Sequence, residues 1–179
     1  MPDTDIPLEA SPSDRIAEAA RRFGEREVAD RAAALLSGAN EGEEFLLWVG
    51  GVHARGILDG APALYWPEVW GARALLRVWD DSAAPAVRAG LGNQAWRVRE
   101  MCGKVVAARE LPFAAELEPL LTDEVARVRS VAARALATVG EYEQAVAVKG
   151  LLADPDVEVR RAAGAALKVF SARLDRPIE

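Results

Sequence analysis

The apolar positions of the C-terminal half fall in columns. The pairs Val98-Arg99, Val128-Arg129 and Val159-Arg160 recur at spacings of 30 and 31 residues. After each valine, apolar residues stand at +3, +4, +7 and +8: Met101, Cys102, Val105 and Val106, then Val131, Ala132, Ala135 and Leu136, then Ala162, Ala163, Ala166 and Leu167. That spacing keeps one face of an α-helix apolar, three times over. The agreement continues upstream, with Leu91, Leu121 and Leu152 seven positions before the valines, Asn93, Asp123 and Asp154 five before, and Trp96, Ala126 and Val157 two before. Val87, Leu117 and Val148 lie four residues ahead of the leucines, and Ala84, Ala114 and Ala145 seven ahead, which predicts another helix in front of each. Each unit reads as helix, short turn, helix, and a period of this length belongs to repeat architectures.

The turns have the chemistry such a junction needs. Asp154-Pro155-Asp156 offers carboxylates to the free N–H groups of the second helix, and Pro155, with no N–H to donate, ends the first. Thr122-Asp123-Glu124 can do the same, and Gly92-Asn93 supplies a permissive glycine and a neutral cap. These residues read as structural.

Asp154-Pro155-Asp156-Val157-Glu158-Val159-Arg160, with the alanines and leucine after it, resembles the short PBS-lyase-type repeats of the HEAT-repeat family, whose signature is D-x-(D/E)-x-x-V-R. The resemblance covers about residues 83–174. It implies an all-α fold, a right-handed α-solenoid of about five antiparallel helix pairs (a HEAT-like superhelix). It also implies that Arg99, Arg129 and Arg160, aligned with Asn93, Asp123 and Asp154, bridge neighbouring turns. About activity it says little, because such repeats serve unrelated functions.

Upstream the columns weaken. Setting Trp70 beside Trp96 puts Arg73 in the arginine column and Leu75, Leu76 and Trp79 on the core face, a degenerate repeat over residues 59–82. Residues 14–23 and 25–36 read as a helix pair broken near Gly24, the segment 38–42 as a loop, and 43–58 as one very apolar helix. Together 14–58 would form a divergent cap, since a solenoid must close its apolar end. Three regular repeats follow over 83–179, so 14–179 is expected to be one continuous domain. The segment 1–13, with three prolines and no apolar period, is expected to be a flexible tail.

Composition narrows the function. Hydrophobic residues make up 51% and charged residues 28%, the balance of a soluble globular chain. No apolar run is long enough for a membrane span and the N-terminus lacks signal-peptide order, so a cytoplasmic protein is expected. Cys102 and His53 are the only cysteine and histidine, which leaves no intrachain disulfide and no Cys/His zinc site. Each lies in an apolar helical stretch and reads as packing. Neither a catalytic set nor a cofactor or metal motif is found; Gly50-Gly51 lacks the Gly-Lys-Ser/Thr of a phosphate loop.

The net charge of −6 argues against general polyanion binding, but charge is unevenly placed. Residues 1–69 hold 6 basic and 13 acidic groups, whereas residues 70–140 hold 10 and 8. In HEAT-type stacks the second helices line the concave face, and their outward columns are expected at −1, +2 and +6 from each valine. These read Arg97, Glu100 and Lys104; Arg127, Ser130 and Arg134; and Glu158, Arg161 and Ala165. With five of nine basic, Arg97, Glu100, Lys104, Arg127, Ser130, Arg134 and Arg161 are the candidate partner-binding residues. The function expected is a non-enzymatic protein-interaction or scaffold module whose partner is an acidic protein or peptide.

Two alternatives share the repeat type. HEAT-like DNA glycosylases use tryptophans and an aspartate in a basic cleft, and Trp79-Asp80-Asp81 beside Trp70 and Arg77 is faintly similar. The acidic charge opposes that reading, and Asp80-Asp81 ends a helix as a turn would. The bilin lyase group also shares the repeats, with nothing outside them in support. Trp66, after Leu64-Tyr65 and before Pro67, reads as a helix-entrance staple or a partner pocket.

Overall fold

The computed structural model describes residues 6–179. Among them the chain is all-helical, without strands, and no helix is long and apolar enough to cross a membrane. The chain forms two compact units, Met1–Gly90 and Leu91–Glu179.

In the first unit, α1 (Pro12–Phe23) opens on Ser11, whose Oγ accepts from Asp14 N at 3.1 Å, with Pro12 at the first turn where no N–H is needed. Residues 6–13 are therefore only partly a tail: the helix begins at Pro12, and Arg15 ties down the carbonyls of Leu8 and Ala10. Residues 1–5 of the expected tail lie outside the described residues. Gly24, at φ 91°, separates α1 from α2 (Glu25–Leu36). Ile16 and Ala19 of α1 and Val28, Ala29, Ala32, Leu35 and Leu36 of α2 are buried, so apolar residues at helical spacing do meet in a core.

The single helix expected over 43–58 is instead two, α3 (Gly42–Gly50) and α4 (Val52–Leu58). Gly51 breaks it at φ 59°, where a Cβ would lie 2.6 Å from the Arg15 guanidinium. A Cβ on Gly50 would lie 2.5 Å from the ring of Trp70. The break is thus dictated by two bulky side chains from distant parts of the chain, which local periodicity does not register.

The degenerate repeat is also out of phase. Trp70 sits inside α5 (Trp66–Ala74), whereas Trp96 opens its helix, and Arg73 donates to Val49 O at 2.8 Å, within the first unit. After a short 3₁₀ turn (Asp81–Ala83) comes α6 (Ala84–Gly90). By columns α6 opens the first regular repeat; it packs against α2 and belongs to the first compact unit.

The second unit has three long helices, α7 (Trp96–Arg109), α9 (Ala126–Val139) and α11 (Val157–Leu174), with α9 packed against both others. The residues two before each valine open them. Shorter elements precede α9 and α11: α8 (Ala114–Leu117) running into a 3₁₀ turn (Glu118–Thr122), and α10 (Tyr142–Lys149) running into another (Gly150–Ala153). Pro119 cannot donate to a continuing α-helix, which accounts for the early tightening after Leu117.

Of the twelve residues at +3, +4, +7 and +8, only Met101 and Leu167 are not fully buried. Leu91 and Leu121 are buried too, but Leu152 is exposed and leaves the core column.

Candidate functional site

The side chains of the turn column set the register of the second unit. Asn93 Oδ1 accepts from Ala95 N at 2.8 Å, Asp123 Oδ1 from Val125 N at 2.9 Å and Asp154 Oδ1 from Asp156 N at 2.9 Å, the same local bond three times. Arg99 reaches its own turn through Nη1, to Asn93 O at 2.8 Å and Gln94 O at 2.9 Å, and the next turn through Nε and Nη2, to the Asp123 carboxylate at 2.7 and 3.0 Å. Arg129 does likewise, with Nη1 2.8 Å from Asp123 O and a fork on Asp154 at 2.8 and 2.9 Å. Such two-point pairing fixes direction as well as distance. Arg160 completes only the first half, donating to Asp154 O at 2.7 Å and Pro155 O at 3.0 Å.

On the helices held this way, five of the seven candidate residues, Glu100, Lys104, Arg127, Ser130 and Arg134, line one depression of about 360 Å³. Glu100 is its centre: it accepts from Arg127 Nε at 3.2 Å and Nη2 at 2.9 Å, and Lys104 Nζ lies 3.1 Å away. Arg134 is exposed with no side-chain partner among the described residues. Arg97 and Arg161 do not line the depression. The Arg97 guanidinium lies 4.3 Å from the Trp96 ring centroid, and Arg161 pairs with Glu158 at 2.6 Å.

Two positions of the +2 column need correction. Glu100 and Ser130, expected to face outward, are buried. The +2 column points at the next long helix, from which Arg127 reaches back over Glu100; among the described residues α9 is the one long helix packed on α11, and Arg161 is exposed. Nor is the strip uniformly basic. Asp156 and Glu158 join Glu100 in the wall, balancing Lys104, Arg127 and Arg134. The residue the sequence did not assign to the site is Trp96, read as packing: it is half-buried, and Arg127 also lies over its ring at 5.4 Å. Its place directly before Arg97 was the available signal.

The remaining chemically suggestive residues are accounted for locally. Burial pushes the Cys102 thiol up to about 12, so it stays protonated as a packing residue. His53 is exposed on α4 rather than packed. Asp80 accepts from Ser82 N at 3.0 Å, and hydrogen bonds from Ser82 hold its carboxyl below the usual range; Asp81 accepts from Trp79 Nε1 at 2.9 Å. Both aspartates shape the turn before α6. Among the described residues no group of His, Cys, Asp and Glu is placed to hold a metal ion.

Compared with known proteins, the chain matches no family model and no curated relative at significant similarity.

Proposed function

We propose that the chain is a non-catalytic interaction module of the HEAT-repeat kind, a right-handed stack of helix pairs whose second helices present the contact face. The α7–α9 part of that face takes an acidic segment of a protein partner. The observation that carries this is an imbalance: Lys104 and Arg127 converge on the one carboxylate of Glu100, and Arg134 beside them has no side-chain partner among the described residues. A partner carboxylate entering there meets Lys104, Arg127 and Arg134 against the single acid that α7 and α9 supply, because Glu158 in the same wall is paired with Arg161 and Asp156 caps α11. The Asp–Arg ladder fixes the spacing of these helices. Cations held on a rigid face speed capture of an oppositely charged segment.

The test is a titration with a labelled Glu-rich helical peptide and its Gln isostere at low and near-physiological salt. The acidic peptide binds and weakens with salt, while the isostere does not bind measurably. The Arg127→Glu/Arg134→Glu variant keeps its helical spectrum and loses about tenfold in affinity, equivalent to ~1.4 kcal/mol. Equal binding of both peptides, or an unchanged affinity in the variant, sinks the reading.

A further inference from the structure

Among the described residues, the first unit holds positive charge that no carboxylate pairs. Arg15 of α1 is buried, and its guanidinium is taken up by main-chain oxygens: Nε by Trp48 O at 3.1 Å, Nη1 by Leu8 O at 3.2 Å and by Ala10 O, and Nη2 by Val49 O at 3.5 Å. Arg73 of α5 sets its Nη2 on the same Val49 O at 2.8 Å. Two guanidiniums therefore meet at a single carbonyl near the end of α3, and neither has an ion-pair partner among the described residues. Burial, and then the charge of Arg15, hold Arg73 below the usual guanidinium value. The carbonyl end of a helix offers roughly half a negative charge against these two positive ones.

Arg73 is also incompletely bonded. Its Nε and Nη1 have no partner among the described residues, and the side chain forms part of the wall of a cavity of about 390 Å³. That is the size range of small-ligand sites, which combine apolar walls with a few polar groups. Trp66 and Trp70 supply the wall, their rings stacked with centroids 6.3 Å apart and planes 25° apart, with Ile57 and Pro62 completing it and His53 exposed at the edge. The Trp70 ring is backed by the main chain at Gly50, which leaves it no room to retreat.

We propose that this cavity binds the carboxylate end of a ligand with an aromatic body, the carboxylate on the free N–H groups of Arg73 and the ring against Trp66 and Trp70. A single negative charge suits the site, because Arg73 lines the cavity and Arg15, taken up by four bonds to main-chain carbonyls, does not. Such a group comes either from a small aryl acid or from the C-terminal aromatic residue of a peptide. The surface is distinct from the α7–α9 depression, and the two proposals stand or fall separately.

The experiment is a titration of the full chain with phenylpropionate and, separately, with phenylpropionamide, followed by the NMR signals of the Trp Nε1–H and Arg Nε–H groups. The acid gives saturable shifts at Trp66, Trp70 and Arg73, and the amide binds at least about tenfold more weakly, because it keeps the ring and loses the charge. A Phe-terminated peptide with a free C-terminus that outcompetes phenylpropionate identifies the peptide source, and one that does not identifies the small acid; its C-terminally amidated form fails in both cases. Trp66→Ala and Arg73→Met each weaken the acid, and the comparison of acid with amide on the native chain stands even if either variant folds poorly. Equal shifts from acid and amide, no saturation, or shifts that include Arg77 of the neighbouring cavity and spare Trp66 overturn the proposal.

Discussion

At the scale of single residues, the Asp–Arg ladder is where electrostatics and register coincide. Asp123 and Asp154 each accept an arginine fork and a backbone N–H, with side chains 6% exposed, so removing either partner strands a charge in a poorly solvated turn. Breaking such a pair costs about 3 kcal/mol. Arg129→Ala is expected to lose that much in urea unfolding, and Arg160→Ala, which forfeits only bonds to its own turn, about 1 kcal/mol. Equal losses would show that the inter-turn fork contributes nothing. Acid should expose the same device. The hydrogen bond from Arg129, aided by that from Asp156 N, holds the Asp154 carboxyl below its ordinary value. A carboxyl lowered on folding stabilises the native state fully above its unfolded pKa, and the contribution disappears as pH falls through the lowered folded value. Thermal stability should therefore decline below about pH 4, and Asp154→Asn should decline less steeply over the same window.

At the scale of elements, the break between α3 and α4 shows how neighbours overrule local preference. The run over 43–58 is apolar and helical by pattern, but at Gly50 a side chain would strike Trp70 and at Gly51 it would strike Arg15. Gly50→Ala is expected to cost about 1–3 kcal/mol through overpacking. Gly56, in α4, has nothing within 4 Å of a built Cβ, so Gly56→Ala should stabilise by about 0.5–1 kcal/mol through the lower entropy of the unfolded chain. Opposite signs in chemical denaturation would confirm the two environments, and a stabilising Gly50→Ala would refute the close contact. The columns located α7, α9 and α11 because each buries the same face against its neighbours. They misplaced α5, whose partner is α2, and the approach of those two helices is close enough that a Cβ on Gly71 would lie 2.6 Å from Ala32 O.

At the scale of the whole molecule, charge is the property that reaches beyond any one contact. The chain carries a net −6, and the basic groups of the α7–α11 depression are matched by three acids within it. Tight duplex binding needs several phosphates neutralised together, with affinity falling steeply as salt rises. A mobility-shift titration with duplex and single-stranded DNA should accordingly show no salt-steep complex at physiological ionic strength. A complex of that kind would favour the nucleic-acid alternative and redirect attention to Arg97, Arg127 and Arg134.

The sequence by itself determined the helical class, the three valine–arginine columns and the turn carboxylates, because each of these rests on spacing within a repeat of about thirty residues. It also singled out five residues that line one depression. Only the tertiary structure decided which side of a long helix is covered by the next: Glu100 and Ser130 are buried because α9 and α11 lie against them, a fact of packing that no period within one helix encodes. The same holds for the division at Gly90 and for Arg15 and Arg73, which share the Val49 carbonyl although they come from separate helices. Periodicity reports what one helix does repeatedly, whereas the Arg15 charge, buried without a counter-ion among the described residues, depends on where α1, α3 and α5 converge.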